Sequence, residues 1–373
     1  MSLVNTTFLG SVFKQDPKPN WIKISGVVMG ESQQYGYKVI TSFDIGKILD
    51  TLYNDPLTKC VVYNWKTGTA YVKKGFDMSN PNDSKIKPEY TTFIPKRATP
   101  SPPLPSISLY CMPGSNVIRS AIGSVKPYPL NITLAFWNNN NWDSGEPDAT
   151  LISVIRSNGG DCTVSFGGYS GCIYNQEPAL LGGTVADVVQ RYSVPISKYN
   201  FAYADFDIEM GKEHDVKSYQ LRNSAIVSLQ QKYPNLKISF TIPADGNGFY
   251  CQDMLIDALN RGVKIDTVRV MLMDFGQSVN MVSTCISGLQ KSKAILDSIG
   301  LSNVKLGFIP LLLIDDNNIN TYTLQNHNDI LSQIRNNKMS YVQCYSYWEL
   351  AIDQKQTFSF LKSYIASNTV QLQ

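Results

Sequence analysis

The chain has 373 residues, 43% of them hydrophobic and 17% charged, with a formal net charge of +3. This composition excludes a disordered chain, and the scatter of Lys and Arg argues against a nucleic-acid binder, which concentrates them on one surface. Two histidines, His214 and His327, argue against a multi-histidine metal site or a Ser-His-Asp triad, so neither metal nor cofactor is expected.

In chain order, residues 21–29, 59–65 and 70–74 are rich in β-branched and aromatic side chains and predict strands, while 42–52 predicts a helix with Ser42 as its N-cap. Residues 1–95 therefore form a small β-rich α+β domain, for which a carbohydrate-binding or attachment role is the expectation. Residues 96–105, KRATPSPPLP, are a proline-rich linker. From 106 to 373 the pattern changes. Eight short apolar runs follow, at 107–111, 132–137, 162–167, 202–208, 237–242, 267–273, 304–309 and 341–347. Stretches with apolar spacings of three and four lie between most of them, at 148–157, 184–192, 216–232, 252–261, 282–299 and 324–336. Eight strands alternating with helices predict a parallel (β/α)8 TIM barrel; an open doubly wound sheet is the alternative, but no GxGxxG follows any run.

The seven cysteines, Cys60, Cys111, Cys162, Cys172, Cys251, Cys285 and Cys344, are odd in number and lack CxxC spacing. Isolated thiols, with one or two bridges at most, are expected. No apolar run reaches the ~20 residues of a membrane span. The longest, 308–314, suits one buried strand.

The fourth run carries the chemical signal, Asp205-Phe206-Asp207-Ile208-Glu209. Alternation puts the three acids on one face, spaced about 6 to 7 Å apart, and the two apolar residues on the other. Acids so placed repel one another and lose hydration. In a barrel this face leads to the carboxyl end, where Glu209 would emerge at the rim as a protonated donor with Asp207 one layer deeper. A solvated edge strand carrying surface acids fits the same pattern.

The residues 106–353 resemble the glycoside hydrolase family 18 chitinases of a bacterial-type branch. Five blocks carry the resemblance in order: ITLAFW at 132–137, the SxGG block at 165–168, DxDxE at 205–209, an MxMD block at 271–276 with Met273, Asp274 and Phe275, and the YWEL of 347–350. The resemblance implies a hydrolase of β-1,4-linked N-acetylglucosamine polymers. Glu209 would protonate the glycosidic oxygen, and the N-acetyl group of the substrate would attack in place of a protein nucleophile. Asp207 would orient that acetamide and Asp205 would support Asp207. Asp274 would bond the distorted sugar and Trp348 would stack beneath it, while Ser165, Gly167 and Gly168 would serve packing.

Phe275 replaces the tyrosine of the MxMDYG pattern, and Ala202 replaces an acid of the longer fourth-strand block. Trp137, Trp142, Tyr169 and Tyr250 could line a sugar track past the strand ends. Two other functions fit the same barrel, a chitin-binding lectin-like protein without turnover and an endo-β-N-acetylglucosaminidase acting on N-glycans. The expected partner is chitin or an N-acetylglucosamine oligosaccharide, with no nucleic acid and no membrane span. Secretion is the expected location, although no leader is visible.

Overall fold

The computed structural model describes residues 21–29, 36–42, 45–53, 60–64, 66–73, 84–95, 106–113, 116–148 and 150–369. The linker 96–105 lies outside them. The chain divides into two compact units, residues 1–100 with 371–373, and residues 101–370.

The first unit contains β1 (Trp21–Met29), β2 (Gly36–Thr41), α1 (Ile45–Tyr53), β3 (Cys60–Asn64), β4 (Thr69–Lys73) and β5 (Ser84–Pro95). These strands form one antiparallel sheet in the order β1-β5-β3-β4-β2. Ile48, Leu49 and Leu52 lie on one side of α1 at helical spacing and pack on Val61, Tyr63, Ala70 and Val72 of β3 and β4. The strands β2 and β5 are additions to the elements expected from sequence.

The second unit is a closed parallel (β/α)8 barrel. It begins with β6 (Ser106–Cys111), α2 (Val117–Val125), β7 (Asn131–Asn138), β8 (Asn141–Trp142), α3 (Leu151–Ser157), β9 (Cys162–Gly167), α4 (Gly168–Ile173), α5 (Val185–Tyr199) and β10 (Tyr203–Asp207). It continues with α6 (Val216–Lys232), β11 (Lys237–Asp245), β12 (Gly248–Phe249), α7 (Gln252–Arg261), β13 (Ile265–Leu272), α8 (Met281–Ser298), β14 (Lys305–Ile309), β15 (Leu313–Ile314) and β16 (Thr321–Tyr322). It ends with α9 (Leu324–Asn336), β17 (Val342–Tyr345), α10 (Leu350–Lys355) and α11 (Ser359–Thr369). The cylinder runs β10-β9-β7-β6-β17-β14-β13-β11 and closes by pairing β11 with β10. Among the described residues no helix is long and apolar enough to cross a membrane.

Strand alternation sorts the side chains. Val164, Phe166, Ala204, Phe206, Ile238, Phe240, Val268 and Val270 join the helical residues Ile118, Leu229 and Leu289 in one apolar cluster between cylinder and helices. The intervening positions Ser165, Asp205, Ser239, Thr241, Thr267 and Arg269 are buried and polar. Several helices start on local signals. Thr184 and Thr323 form capping boxes, and Asp215 caps α6 by accepting the Ser218 N–H.

The segment between β9 and α5 is tied down by a buried ion pair. The Arg222 guanidinium of α6 meets Glu177 at 3.1 Å with both side chains at 0% exposure. Glu177 also accepts from the Tyr192 hydroxyl and from the Ala179 and Leu180 N–H groups. With its oxygens fed by several donors, the carboxylate meets the condition under which burying a charge is tolerated. All seven cysteines are buried free thiols, with no bridge among them.

Candidate active site

Asp205 and Asp207 of β10, and Glu209 two residues beyond its end, lie in three different environments. Asp205 is fully buried, and the parallel register sets it beside Ser165 of β9 and Ser239 of β11. It accepts from the hydroxyls of Tyr110 at 2.7 Å, Ser165 at 2.8 Å, Thr241 at 3.0 Å, and Ser239. Ser165 is thus a hydrogen-bond donor to the acid ladder rather than a packing residue alone. Burial, and then the charge of Asp205, holds the Tyr110 phenol well above its ordinary range, so it stays a donor.

Asp207 is 3% exposed, and its Oδ1 has no hydrogen-bond partner. Burial first, then Glu209 and Asp205, push its carboxyl well above the usual carboxylate range. Glu209, just beyond the strand, is half-buried, and its carboxyl is pushed up to about 7 by burial and by Glu213, Asp274 and Asp316. Cys172 of α4 holds the turn between the two acids. Its Sγ donates to the Asp207 carbonyl at 3.6 Å and accepts from the Glu209 N–H at 3.5 Å. The neighbouring strands come very close here: a Cβ on Gly167, whose φ is +101°, would lie 2.1 Å from the Asp207 carbonyl oxygen.

Around these acids Trp348 stacks on Phe136 with ring centroids 5.6 Å apart and planes at 17°, and meets Tyr110 edge-on at 5.9 Å. Met271, Met273, Ala135 and Ile309 complete this inner cluster. The Trp348 backbone is fixed to the segment after β14, donating to Pro310 O at 3.0 Å and accepting from Leu312 N. Asp274 is half-buried at the end of β13 with φ +49° and accepts the Asp316 N–H at 2.8 Å. Burial is the main cause that raises its carboxyl.

Three expected contributors lie elsewhere. Trp137 is 3% exposed and belongs to the outer cluster with Ile132 and Leu134, its ring edge-on to Trp142 at 5.5 Å. The cause is a register irregularity in β7 between Leu134 and Trp137, which breaks the alternation and leaves Phe136 inside and Trp137 outside. Trp142 is buried with it, so neither tryptophan lines a sugar track. Phe275 packs against the outer core and borders a small gap shared with Met281 and Tyr322. Tyr169, in α4 directly after β9, and Tyr250, just after β12, are exposed at 54% and 52%. A separate cleft of about 600 Å³ opens at the opposite end of the cylinder, at the strand starts Ser106, Tyr203 and Lys305.

Tyr110, Phe136, Ser239, Thr241 and Cys172 are participants that sequence reasoning missed. Ser239 and Thr241 carry a signal, two hydroxyls two residues apart on a strand beside the acids. Among the described residues, no group of three or more His, Cys, Asp or Glu side chains is placed to hold a metal ion.

No family model matches the sequence. Over 190 residues, 48% of this chain, it is 30% identical to the probable bifunctional chitinase/lysozyme of Escherichia coli K12, covering 21% of that protein. Over 154 residues, 39% of this chain, it is 32% identical to endochitinase 11 of Metarhizium anisopliae, covering 29% of it. The chain thus matches less than a third of the length of either curated relative. In fold it is similar to active domain 2 of a thermostable chitinase from Pyrococcus furiosus, solved as catalytic-site mutants complexed with chito-oligosaccharides. That similarity has a TM-score of 0.56 at 21% identity and covers 68% of this chain and 86% of that one.

Proposed function

We propose that the barrel is a glycoside hydrolase that cleaves β-1,4-linked N-acetylglucosamine polymers with retention of configuration. One observation carries this reading. Asp205 and Asp207 lie buried on one strand of a closed cylinder, and Glu209 follows just beyond it with its carboxyl pushed up to about 7, where it can both give and take a proton. The sequence similarity to a chitinase/lysozyme and an endochitinase supports the substrate class.

In the reaction the Glu209 carboxyl gives its proton to the glycosidic oxygen as the bond from that oxygen to the anomeric carbon breaks. The acetamido carbonyl oxygen of the same sugar closes on that carbon, so no protein atom becomes covalently attached. Water then opens the ring so formed, giving its proton back to the Glu209 carboxylate. Asp207, with an oxygen unclaimed by the protein, meets the acetamide N–H as positive charge develops. Trp348 provides a flat apolar face for the sugar, and Asp274 a second acceptor. Tyr169 and Tyr250 extend the track on the rim.

The test is a tetramer of N-acetylglucosamine incubated with the parent chain and with Glu209→Gln. The parent should release shorter oligomers, and the variant should lose roughly 10² to 10⁴-fold in rate with an unchanged circular dichroism spectrum. Equal rates in the two chains would remove Glu209 from the mechanism. Tetramer binding with no product from the parent would favour the lectin-like alternative.

A further inference from the structure

A sulfur atom holds the backbone N–H of Glu209. Just past β10 the Ile208 N–H goes to the Thr241 carbonyl of β11 at 2.9 Å, so alternation turns the backbone of Asp207 and Glu209 the other way, toward β9. The register pairs Asp207 with Gly167. One more residue of parallel ladder would offer the Glu209 N–H the carbonyl of Gly168. Gly168 instead opens α4, where the helical pattern commits its carbonyl to the N–H four residues on, that of Cys172. The Cys172 side chain fills the place left in the ladder. Its Sγ accepts from the Glu209 N–H at 3.5 Å and donates to the Asp207 carbonyl at 3.6 Å. The side chain is fully buried, and burial pushes the thiol up, so it keeps the proton that lets one atom both donate and accept.

On its other side Glu209 is tied to its own turn. Met210 and Gly211 take left-handed φ values of +59° and +80°, and the Lys212 N–H, opening the 3-10 turn Lys212–His214, donates to the Glu209 carbonyl at 3.1 Å. The helix that carries the sulfur has no room to shift. A Cβ on Gly168 would lie 2.4 Å from the Phe136 ring, and one on Gly171 would lie 2.3 Å from Asn138 Oδ1. Phe136 is the ring that stacks on Trp348. Asn138 grips Gly167, accepting its N–H at 3.1 Å and donating to its carbonyl at 2.8 Å. The start of α4 is therefore wedged against the ring beside Trp348, and the thiol passes that fixed position to Glu209.

We propose that Cys172 is a positioning residue for the proton donor: its thiol stands in for the missing ladder partner and fixes where Glu209 leaves the barrel wall. The inference rests on the reading of Glu209 as donor. The thiol touches no reacting atom and acts through the backbone alone. Thiol hydrogen bonds are weak, but displacing a catalytic group by about 1 Å can cost 10²-fold in rate, so a small contact has a large lever here.

Two substitutions separate hydrogen bonding from packing. Cys172→Ser keeps a donor and an acceptor in a smaller side chain, and Cys172→Val fills similar space with neither. On the N-acetylglucosamine tetramer, Cys172→Val should lose roughly 10 to 10²-fold in kcat with KM held within about twofold. Cys172→Ser should keep kcat within about threefold of the parent while melting lower, because it packs less well. A packing role alone would give the reverse order, with valine ahead of serine. Where Cys172→Val does not fold, Cys172→Ala removes the same hydrogen bonds without added bulk and should show the same loss in kcat. The second readout is hydrogen exchange at the Glu209 amide, followed by NMR. The amide should be protected in the parent and in Cys172→Ser, and should exchange roughly 10-fold faster or more in Cys172→Val. Parent-like kcat in the valine and alanine chains, or equal exchange at Glu209 in all of them, would overturn the proposal. A parent that hydrolyses nothing would sink the donor reading instead, and the exchange rates would still decide whether the thiol holds Glu209.

Discussion

The interior and the rim of the barrel treat the same functional group in opposite ways. Deep in the cylinder the Asp205 carboxyl is surrounded by four donors from three strands, Tyr110 of β6, Ser165 of β9, and Ser239 and Thr241 of β11, with Arg269 of β13 among the charges acting nearby. Toward the rim the acids are left wanting. Asp207 Oδ1 and Glu213 Oε2 have no partner, and Glu209 is pressed on by three other acids. The inner carboxyl holds its neighbours in place by accepting from four hydroxyls. The outer ones keep an oxygen that no protein donor claims. A saturated buried charge marks architecture, and an unsaturated one marks chemistry.

Substitutions can break this contrast. The largest effect is expected from Asp205→Ala, which leaves four buried hydroxyls without their acceptor and should cost about 3 to 5 kcal/mol in urea denaturation. A midpoint equal to the parent's would mean that the inner carboxyl holds nothing together. Asp207→Asn should do the reverse. The amide keeps the size and shape of a carboxyl whose Oδ1 no protein donor claims, so the denaturation midpoint should move little. Turnover of the tetramer should fall roughly 10²-fold or more. A destabilised but active Asp207→Asn chain would invert the assignment. Tyr110→Phe, which removes one donor and keeps the ring against Trp348, should cost about 1 to 2 kcal/mol.

A pH experiment sharpens the same distinction. Glu209 has its carboxyl raised to about 7 from an ordinary 4.5. Below 4.5 the folded and unfolded chains both carry the proton, whereas from there to about 7 only the folded chain does. The stability it contributes is therefore lost as pH rises through about 7. The melting temperature of Glu209→Gln should gain on the parent's between pH 5 and pH 8. A constant gap across that range would place Glu209 in ordinary solvent. The smallest effect belongs to Trp137→Phe. With its ring in the outer layer against Trp142, the exchange should alter stability modestly and leave KM for the tetramer unchanged. A raised KM would return Trp137 to the cleft.

Much of this arrangement is legible in the residues. The helices at 216–232, 252–261 and 324–336 match their expected spans because local signals bound them: Asp215 and Thr323 as N-caps and Gly262 in the left-handed region as a stop. The acids of β10 share a face because nothing interrupts the two-residue period there. Legibility fails where that period fails. The irregularity in β7 exchanges the faces of Phe136 and Trp137, so the aromatic expected in the cleft is buried and its neighbour stacks on Trp348. The strand β5, Ser84–Pro95, reads SKIKPEYTTFIP, whose two lysines and two prolines keep it from signalling a strand on its own. Tyr110 and Cys172 belong to other strands or helices, and only tertiary closure brings them to β10. Glu213 sits on a 3-10 turn, where neither the helical nor the strand period applies.

Inside the cylinder, serine, threonine, aspartate and arginine share the space with one small apolar cluster around Tyr110, Phe136 and Trp348, so the lumen supplies only part of the hydrophobic cohesion. Its walls are held from outside, by the sleeve of Phe166, Phe206, Phe240 and their neighbours against the encircling helices. Such a barrel resists rearrangement of its lumen only as long as its mantle is whole. Shaving one outer helix would loosen β10 by stripping the apolar sleeve that Phe206 packs into.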